Sequence, residues 1–317
     1  MLQIDFINVG YGDAILIQSF FQRESPFRLL IDCGDLTTGI PNNGQKRISA
    51  AKYLSQQGIN SLDIVILTHL HLDHAGGLRE LVDSVKIAEL WSNYIPDETI
   101  IGKKLSIPAE FNSDMQNLLV SLDLFSACLA RLSKEKTKIQ CISKDMKINF
   151  EDTGIEMEIR VAAEKLYQAQ NEAFSTAGSN NPDEMLLSRL GTFINDTSLR
   201  IRINYGSFSV ELPGDVYAVQ WEKCHNEPCT ILKLPHHGHN NSMTEELFDQ
   251  LSPIFTVISV SNDRKDNCPS SQITSLIEEK GSTLLFTDAV EIEQQKGHQH
   301  QAIRFIINED SLNWSYI

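Results

Sequence analysis

Leu62-Asp63-Ile64-Val65-Ile66-Leu67-Thr68-His69-Leu70-His71-Leu72-Asp73-His74-Ala75-Gly76-Gly77 carries the strongest signal in the sequence. Its first six residues read as a buried strand. Residues 75–81 read as a turn opening a helix. Between them lie three imidazoles and one carboxylate. Neutral imidazole is the commonest metal ligand, and carboxylate is a standard companion for zinc. A strand-to-helix loop is where a rigid scaffold can aim such groups. Crowding four polar groups there without a cation would leave a large desolvation cost. The segment points to a metal held beyond a strand end, with His69, His71, Asp73 and His74 as its expected ligands.

Outward from this loop, the N-terminal third alternates short strands with turns. Strands are expected over 2–8, 14–20 and 27–31, with Gly10-Tyr11-Gly12-Asp13 and Asp32-Cys33-Gly34 at their ends. A polar loop spans 36–45, and an amphipathic helix is expected over 46–57, stopped by Gly58. Apolar spacing predicts a long helix over 115–132. Arg131 to Lys147 is the one basic run, holding Arg131, Lys134, Lys136, Lys138, Lys144 and Lys147. It reads as a helix end and hairpin, or as a polyanion contact near the site mouth. Residues 162–195 are polar and read as a long loop or lid inserted in one domain covering 1–317. Strands and helices return from Thr197 to the end.

Composition bounds the partners. A net charge of −15 has the wrong sign for general capture of nucleic acid, which relies on Lys and Arg. The six cysteines form no C-x-x-C pair. Cys224, His225 and Cys229 supply ligand types, but the cysteines read more simply as small buried residues. The first residues already read as strand, so no leader is expected. No apolar run approaches the roughly 20 residues that span a bilayer. A cytoplasmic location is the default expectation.

Six of the nine histidines lie in two segments, His69/His71/His74 and His236/His237/His239, with Leu212-Pro213-Gly214-Asp215 between them. Each follows a short apolar run, so the groups are expected to converge on one sheet edge. Here the chain resembles the metallo-β-lactamase superfamily. It is most similar to the ComEC-like hydrolase domains of DNA uptake. The matching pieces are Asn8 to Ala14 (V-G-Q-G-D-A in that group), Ile31 to Gly34, Thr68 to Gly77 (T-H-x-H-x-D-H-x-G-G), Asn195-Asp196-Thr197-Ser198-Leu199 (N-D-x-S-L), Leu212 to Asp215, Lys233 to Gly238 (K-x-x-H-H-G) and Thr287-Asp288. Cys268-Pro269 departs from a His-Pro common there.

The resemblance implies an α+β fold, a four-layer αββα sandwich with two divalent metal ions, Zn²⁺ or Mn²⁺, at one edge. By position, His69 and His71 would bind the first metal. Asp73, His74 and one histidine of the 236–237 pair would bind the second. His237, beside Gly238, is preferred, with His236 the alternative. Asp215 would bridge both. The usual third histidine of the first site is absent, and Asn195 and Asp196 stand there instead. That leaves the first site weaker and favours single occupancy or manganese. Asp73, Asp215 and His237 become the expected catalytic set, with Lys233, His239 and Ser242 as expected substrate contacts. Asp13 and Asp32 would support the ligands or cap turns.

The implied function is metal-dependent phosphodiester hydrolysis of DNA or RNA by a metal-activated hydroxide, with a separately encoded protein partner allowed for. A small-molecule hydrolase (lactonase, thioesterase or cyclic-nucleotide phosphodiesterase) is the alternative. A non-catalytic regulatory module is the third reading.

Overall fold

The computed structural model describes residues 1–22, 24–39, 46–178, 181–263, 268–290 and 298–317. Strands β1 (Leu2–Ile7), β2 (Ile15–Ser19), β3 (Phe27–Ile31), β4 (Ser61–Leu67), β5 (Lys86–Ser92) and β6 (Lys138–Cys141) lie in one sheet. Strands β7 (Met146–Phe150), β8 (Ile155–Arg160), β9 (Arg200–Tyr205), β10 (Phe208–Leu212), β11 (Ile231–Lys233), β12 (Phe255–Ile258) and β13 (Thr283–Phe286) form the other. The last two, β14 (Ala302–Ile307) and β15 (Leu312–Tyr316), return to the first. The orders are β15-β14-β1-β2-β3-β4-β5-β6 and β13-β12-β11-β10-β9-β8-β7.

The strand sequences explain the layering. Side chains alternate faces along a strand. In β4, Ile64 and Ile66 point between the sheets, while Val65 and Leu67 point to the outer helices. A strand covered on both faces reads as one continuous apolar run. The inter-sheet core joins Leu2, Ile4, Phe6, Leu29 and Ile31 of the first sheet to Met157, Ile159, Ile201 and Ile203 of the second. Each such side chain contributes about 1.5–3 kcal/mol by leaving water.

Helices cover both outer faces. On the first sheet lie α1 (Ala50–Gln56), α2 (Leu72–Ala75), α3 (Leu78–Ser84), α4 (Ser113–Lys134), α5 (Glu164–Thr176) and α6 (Glu184–Gly191). Leu54, Leu81, Leu122, Phe125, Phe174 and Leu187 supply their shared core. On the second sheet, α7 (Ala218–Trp221), α8 (Glu245–Leu251) and α9 (Ser271–Glu279) bury Trp221, Phe248 and Ile277. This is the expected αββα sandwich, an α+β fold.

Two expectations need correction. Residues 162–195 are not a long loop, because α5 and α6 occupy most of them. Gln170, Ala173, Phe174 and Ala177 are buried at helical spacing, and Asp183 caps α6 by accepting from the Leu186 N–H at 3.0 Å. Residues 179 and 180 of that stretch, and 40–45 of the earlier polar loop, lie outside the described residues. The 131–147 run is no hairpin either. β6 pairs with β5 in the first sheet and β7 pairs with β8 in the second, so the connection crosses between sheets.

Candidate metal centre

The histidine loop leaves β4 and is pinned from below by one carboxylate. Asp32, just past β3, accepts from the Thr68 N–H at 2.8 Å, from Thr68 Oγ1 at 2.7 Å and from His74 Nδ1 at 2.8 Å. With its Nδ1 hydrogen committed to Asp32, His74 presents Nε2 to the centre. His69 is set similarly. Thr68 Oγ1 gives its hydrogen to Asp32, so it accepts from His69 Nδ1 at 3.1 Å. His69 Nε2 then faces His71 Nδ1 at 3.1 Å.

Two glycines let the neighbouring loops approach this closely. Gly12 adopts φ +122°, and a Cβ there would sit 2.1 Å from the Asp73 carbonyl oxygen. A Cβ on Gly77 would sit 2.0 Å from the Cys33 carbonyl oxygen. Only glycine fits either position.

The second sheet supplies the remaining donors. Asp215 follows β10, and its N–H donates to Ser198 Oγ at 3.1 Å. One carboxylate oxygen, Oδ1, is held by the His236 N–H at 3.0 Å and lies 3.3 Å from Lys233 Nζ. The other, Oδ2, faces His74 Nε2 at 3.1 Å and His237 Nε2 at 3.4 Å. His236, His237 and Gly238 have φ of 49°, 52° and 76°. Consecutive left-handed residues are strained, and such strain collects at functional sites. This turn aims the fully buried His237 at the centre. Its Nδ1 faces the Ser259 carbonyl at 3.0 Å, an oxygen that can only accept, so Nδ1 carries a hydrogen and Nε2 is the atom presented to the centre. That atom lies 3.0 Å from Asp73 Oδ2.

The electrostatics follow from these contacts. Burial opposes ionisation of Asp73 and Asp215, but the His74 and His237 imidazoles outweigh it and hold both carboxyls below the usual range. Burial likewise disfavours charge on His237, yet Asp215 and Asp73 prevail and raise it to about 9. His74 is raised for the same reason. His69 and His71 are lowered, chiefly by burial, and stay neutral. Without a cation, protons on His74 and His237 serve as the counter-charge between two carboxylates. A divalent ion would replace those protons. The residues fit one: His74 Nε2 is fully buried against Asp215 Oδ2, and ligand atoms of Asp73, His74, Asp215 and His237 lie within 4.8 Å of one another.

A second convergence, Asp13, Asp32 and His74, lies behind the His74 ring. Lys233 already supplies its cation by pairing with Asp13.

The expected site residues separate into groups. His69, His71, Asp73, His74, Asp215 and His237 come together. Asn195 borders the same cavity and donates from Nδ2 to the Tyr217 hydroxyl at 3.2 Å. His236 turns its ring toward Asn241, at 2.9 Å, and is not in the cluster. Asp196 accepts from the Tyr217 N–H at 3.1 Å and is turned away. Lys233 is completely buried and cannot reach substrate, which corrects that expectation. Ser242 is buried too and lines no wall of the cavity. His239 does border it.

Four contributors carry no readable role in the sequence: Tyr11, Tyr217, Asp35 and Asp114 all line the cavity. Ser198 is visible there only as a motif letter. Asp288 of the closing Thr-Asp pair is structural, binding Asn8 Nδ2 at 3.0 Å and Arg47 Nε at 2.8 Å.

A family model described as the metallo-beta-lactamase superfamily matches residues 13–98, which include the histidine loop and the Asp32 turn. Over that span the chain matches the metallo-β-lactamase superfamily. It is 23% identical over 298 residues to ComE operon protein 3 of Bacillus subtilis (strain 168), covering 90% of this chain and 32% of that protein. The chain thus spans about a third of the length of that curated relative. Among solved structures it is similar to CmlA, a diiron beta-hydroxylase from Streptomyces venezuelae, at 12% identity and a TM-score of 0.47, covering 90% of this chain and 52% of that one. The metallo-beta-lactamase fold protein YhfI from Bacillus subtilis is 12% identical with a TM-score of 0.42, covering 94% and 98%.

In this centre, Asp32 tests the supporting contacts. An asparagine in its place would present an amide NH₂ to donors that need an acceptor. Asp32→Asn is expected to weaken metal affinity about 10- to 100-fold, measured by titration against a competing chromophoric chelator. Unchanged affinity would mean that Asp32 only caps a turn.

Proposed function

We propose that this chain is a metal-dependent phosphodiesterase. The observation that carries this reading is the convergence of Asp73, His74, Asp215 and His237, with His69 and His71 beside them, at a cavity of about 560 Å³. That size falls in the range of sites for small molecules or single residues of a polymer. The motif resemblance to the ComEC-like group and the similarity to ComE operon protein 3 support a phosphodiester as the bond cleaved.

His69 and His71 would hold one divalent ion, Zn²⁺ or Mn²⁺, with Asn195 nearby. Asp73, His74 and His237 would hold the other, and Asp215, whose Oδ2 faces His74 and His237, would be a ligand shared by both. Bound metal ions supply a water of lowered pKa and stabilise charge developing on oxygen. The chain's own residues do the rest. Asp32 and Ser259 fix the ligand tautomers. Lys233 and the His236 N–H keep Asp215 Oδ1 occupied, leaving Oδ2 for the centre. Tyr11 and Tyr217 orient the substrate, and His239 delivers a proton to the departing alkoxide.

The test incubates purified protein with bis(4-nitrophenyl) phosphate, single- and double-stranded DNA, RNA, a lactone and a thioester, with Mn²⁺ or Zn²⁺. Diester hydrolysis that is removed by a chelator and restored by metal is expected. The second reading, a small ester hydrolase, is favoured by the absence of Lys and Arg among the described residues bordering the cavity. Turnover of lactone or thioester alone, with metal confirmed by elemental analysis, would establish it instead.

The basic run does not help at this site. The cavity meets α4 at Asp114, Asn117 and Leu118. Arg131 lies 13 residues beyond Leu118, about 20 Å at 1.5 Å per residue. That is beyond the screening length of roughly 8–10 Å for exposed charges at ordinary salt. Arg131 is also paired with Asp83, Lys138 with Glu89, and Lys147 with Glu156. Replacing Lys134, Lys136 and Lys138 together by Gln is expected to change hydrolysis of any diester by less than about twofold. A loss that grows at low salt would reinstate a polyanion contact.

Cys33, Cys128, Cys141, Cys224 and Cys229 are free thiols, which supports a reducing, cytoplasmic setting. Among the described residues, no helix is long and apolar enough to cross a membrane.

A further inference from the structure

We infer that this centre takes a small monoanionic diester bearing an uncharged planar substituent, such as a dinucleoside phosphate or aryl diester, and discriminates against a polynucleotide. The inference rests on the phosphodiesterase reading above.

Charge around the cavity carries it. The bordering residues include the carboxylates Asp35, Asp73, Asp114 and Asp215, and no Lys or Arg among those described. Asp73 and Asp215 belong to the metal centre. Asp114 is exposed in the first turn of α4, and Asp35 is half-buried on the opposite loop beyond Gly34. Two divalent ions would bring four positive charges and Asp73, Asp114 and Asp215 three negative ones, so the loaded cavity would hold little positive charge beyond what one diester neutralises. One phosphodiester adds a single negative charge directly at the metals. A polynucleotide adds a further charge at every nucleotide, and its flanking phosphates would have to pass Asp114 with no Lys or Arg among the described bordering residues to meet them.

The remaining wall suits a planar group. Tyr217, His236 and His239 form a run of rings, with centroids 5.2 Å apart for Tyr217–His236 and 4.3 Å for the stacked His236–His239 pair. On the metal side, Tyr11 leans over His237 at 4.5 Å. Bases and aryl groups stack on such faces without sequence preference. The exposed Asp114 carboxylate can accept from an exocyclic amine.

The experiment compares kcat/KM, per scissile bond, on a thymidine dinucleotide and on a single-stranded thymidine 20-mer across a salt series. The dinucleotide is expected to exceed the 20-mer by about 100-fold at low salt. Added salt is expected to raise the 20-mer value, because it screens repulsion. Asp114→Lys should raise the 20-mer-to-dinucleotide ratio about tenfold. In chelator, a labelled 20-mer should give no anisotropy change with the wild-type protein. A 20-mer cleaved as well as the dinucleotide, with activity falling as salt rises, overturns the inference and leaves the phosphodiesterase reading standing. Failure to cleave bis(4-nitrophenyl) phosphate or the dinucleotide with metal bound overturns both.

Discussion

Asp73→Ala is expected to lose hydrolysis of bis(4-nitrophenyl) phosphate by on the order of 10³-fold, which corresponds to about 4 kcal/mol of lost transition-state stabilisation. Asp73 sits at the start of the short helix α2, with its side chain only 16% exposed. Its Oδ2 lies 3.0 Å from His237 Nε2 and 3.8 Å from His74 Nε2, so it closes the ligand set from the solvent side. The carboxylate points at the centre and not into the apolar core, so the fold should tolerate the change. Elemental analysis should find metal reduced while the far-ultraviolet spectrum is unchanged. A variant retaining more than a tenth of wild-type kcat/KM with full metal would remove Asp73 from the centre.

Lys233→Met is expected to cost about 3–5 kcal/mol of stability in the metal-free protein, the usual penalty for breaking a buried ion pair from one side. Lys233 has no exposed surface and pairs with Asp13 and Asp215, both also buried. Removing the ammonium strands two carboxylates in a low-dielectric interior. Denaturant unfolding measures the loss. Adding Asp13→Asn should recover part of it, giving a coupling energy between the two positions. If Lys233 reached substrate, stability would hold and only KM would rise.

Lys233 also marks where sequence reasoning stops. A lysine at a strand end beside a metal motif reads as a substrate cation because lysine is almost never buried unless paired. Its partner Asp13 lies far earlier in the chain, and no local pattern links them. The histidine loop is legible because its ligands are contiguous and β4 has two buried faces. Its convergence with Asp215 and His237 is legible because each also follows a strand end. The α5 and α6 helices are not, since their buried stripe is thin and includes Gln170. Tyr217 and Asp114 border the cavity through tertiary placement alone. The preference for His237 over His236 comes from the motif position, and its physical reason, the left-handed turn, is visible only in the folded backbone.

That turn and the histidine loop belong to different sheets. His69 to His74 hang from β4 of the first, while Asp215 and His237 extend from β10 and β11 of the second. Their main chains already touch where the Leu199 N–H donates to the Thr68 carbonyl at 2.9 Å. An ion gripped by both sides would act as a clasp across the sandwich, tying segments far apart in the chain and removing loop-closure freedom from any partly opened form. Loading should therefore slow amide exchange in the facing rows of β4 and β9, well away from the ligands, and chelation should let the two halves breathe apart before either one melts.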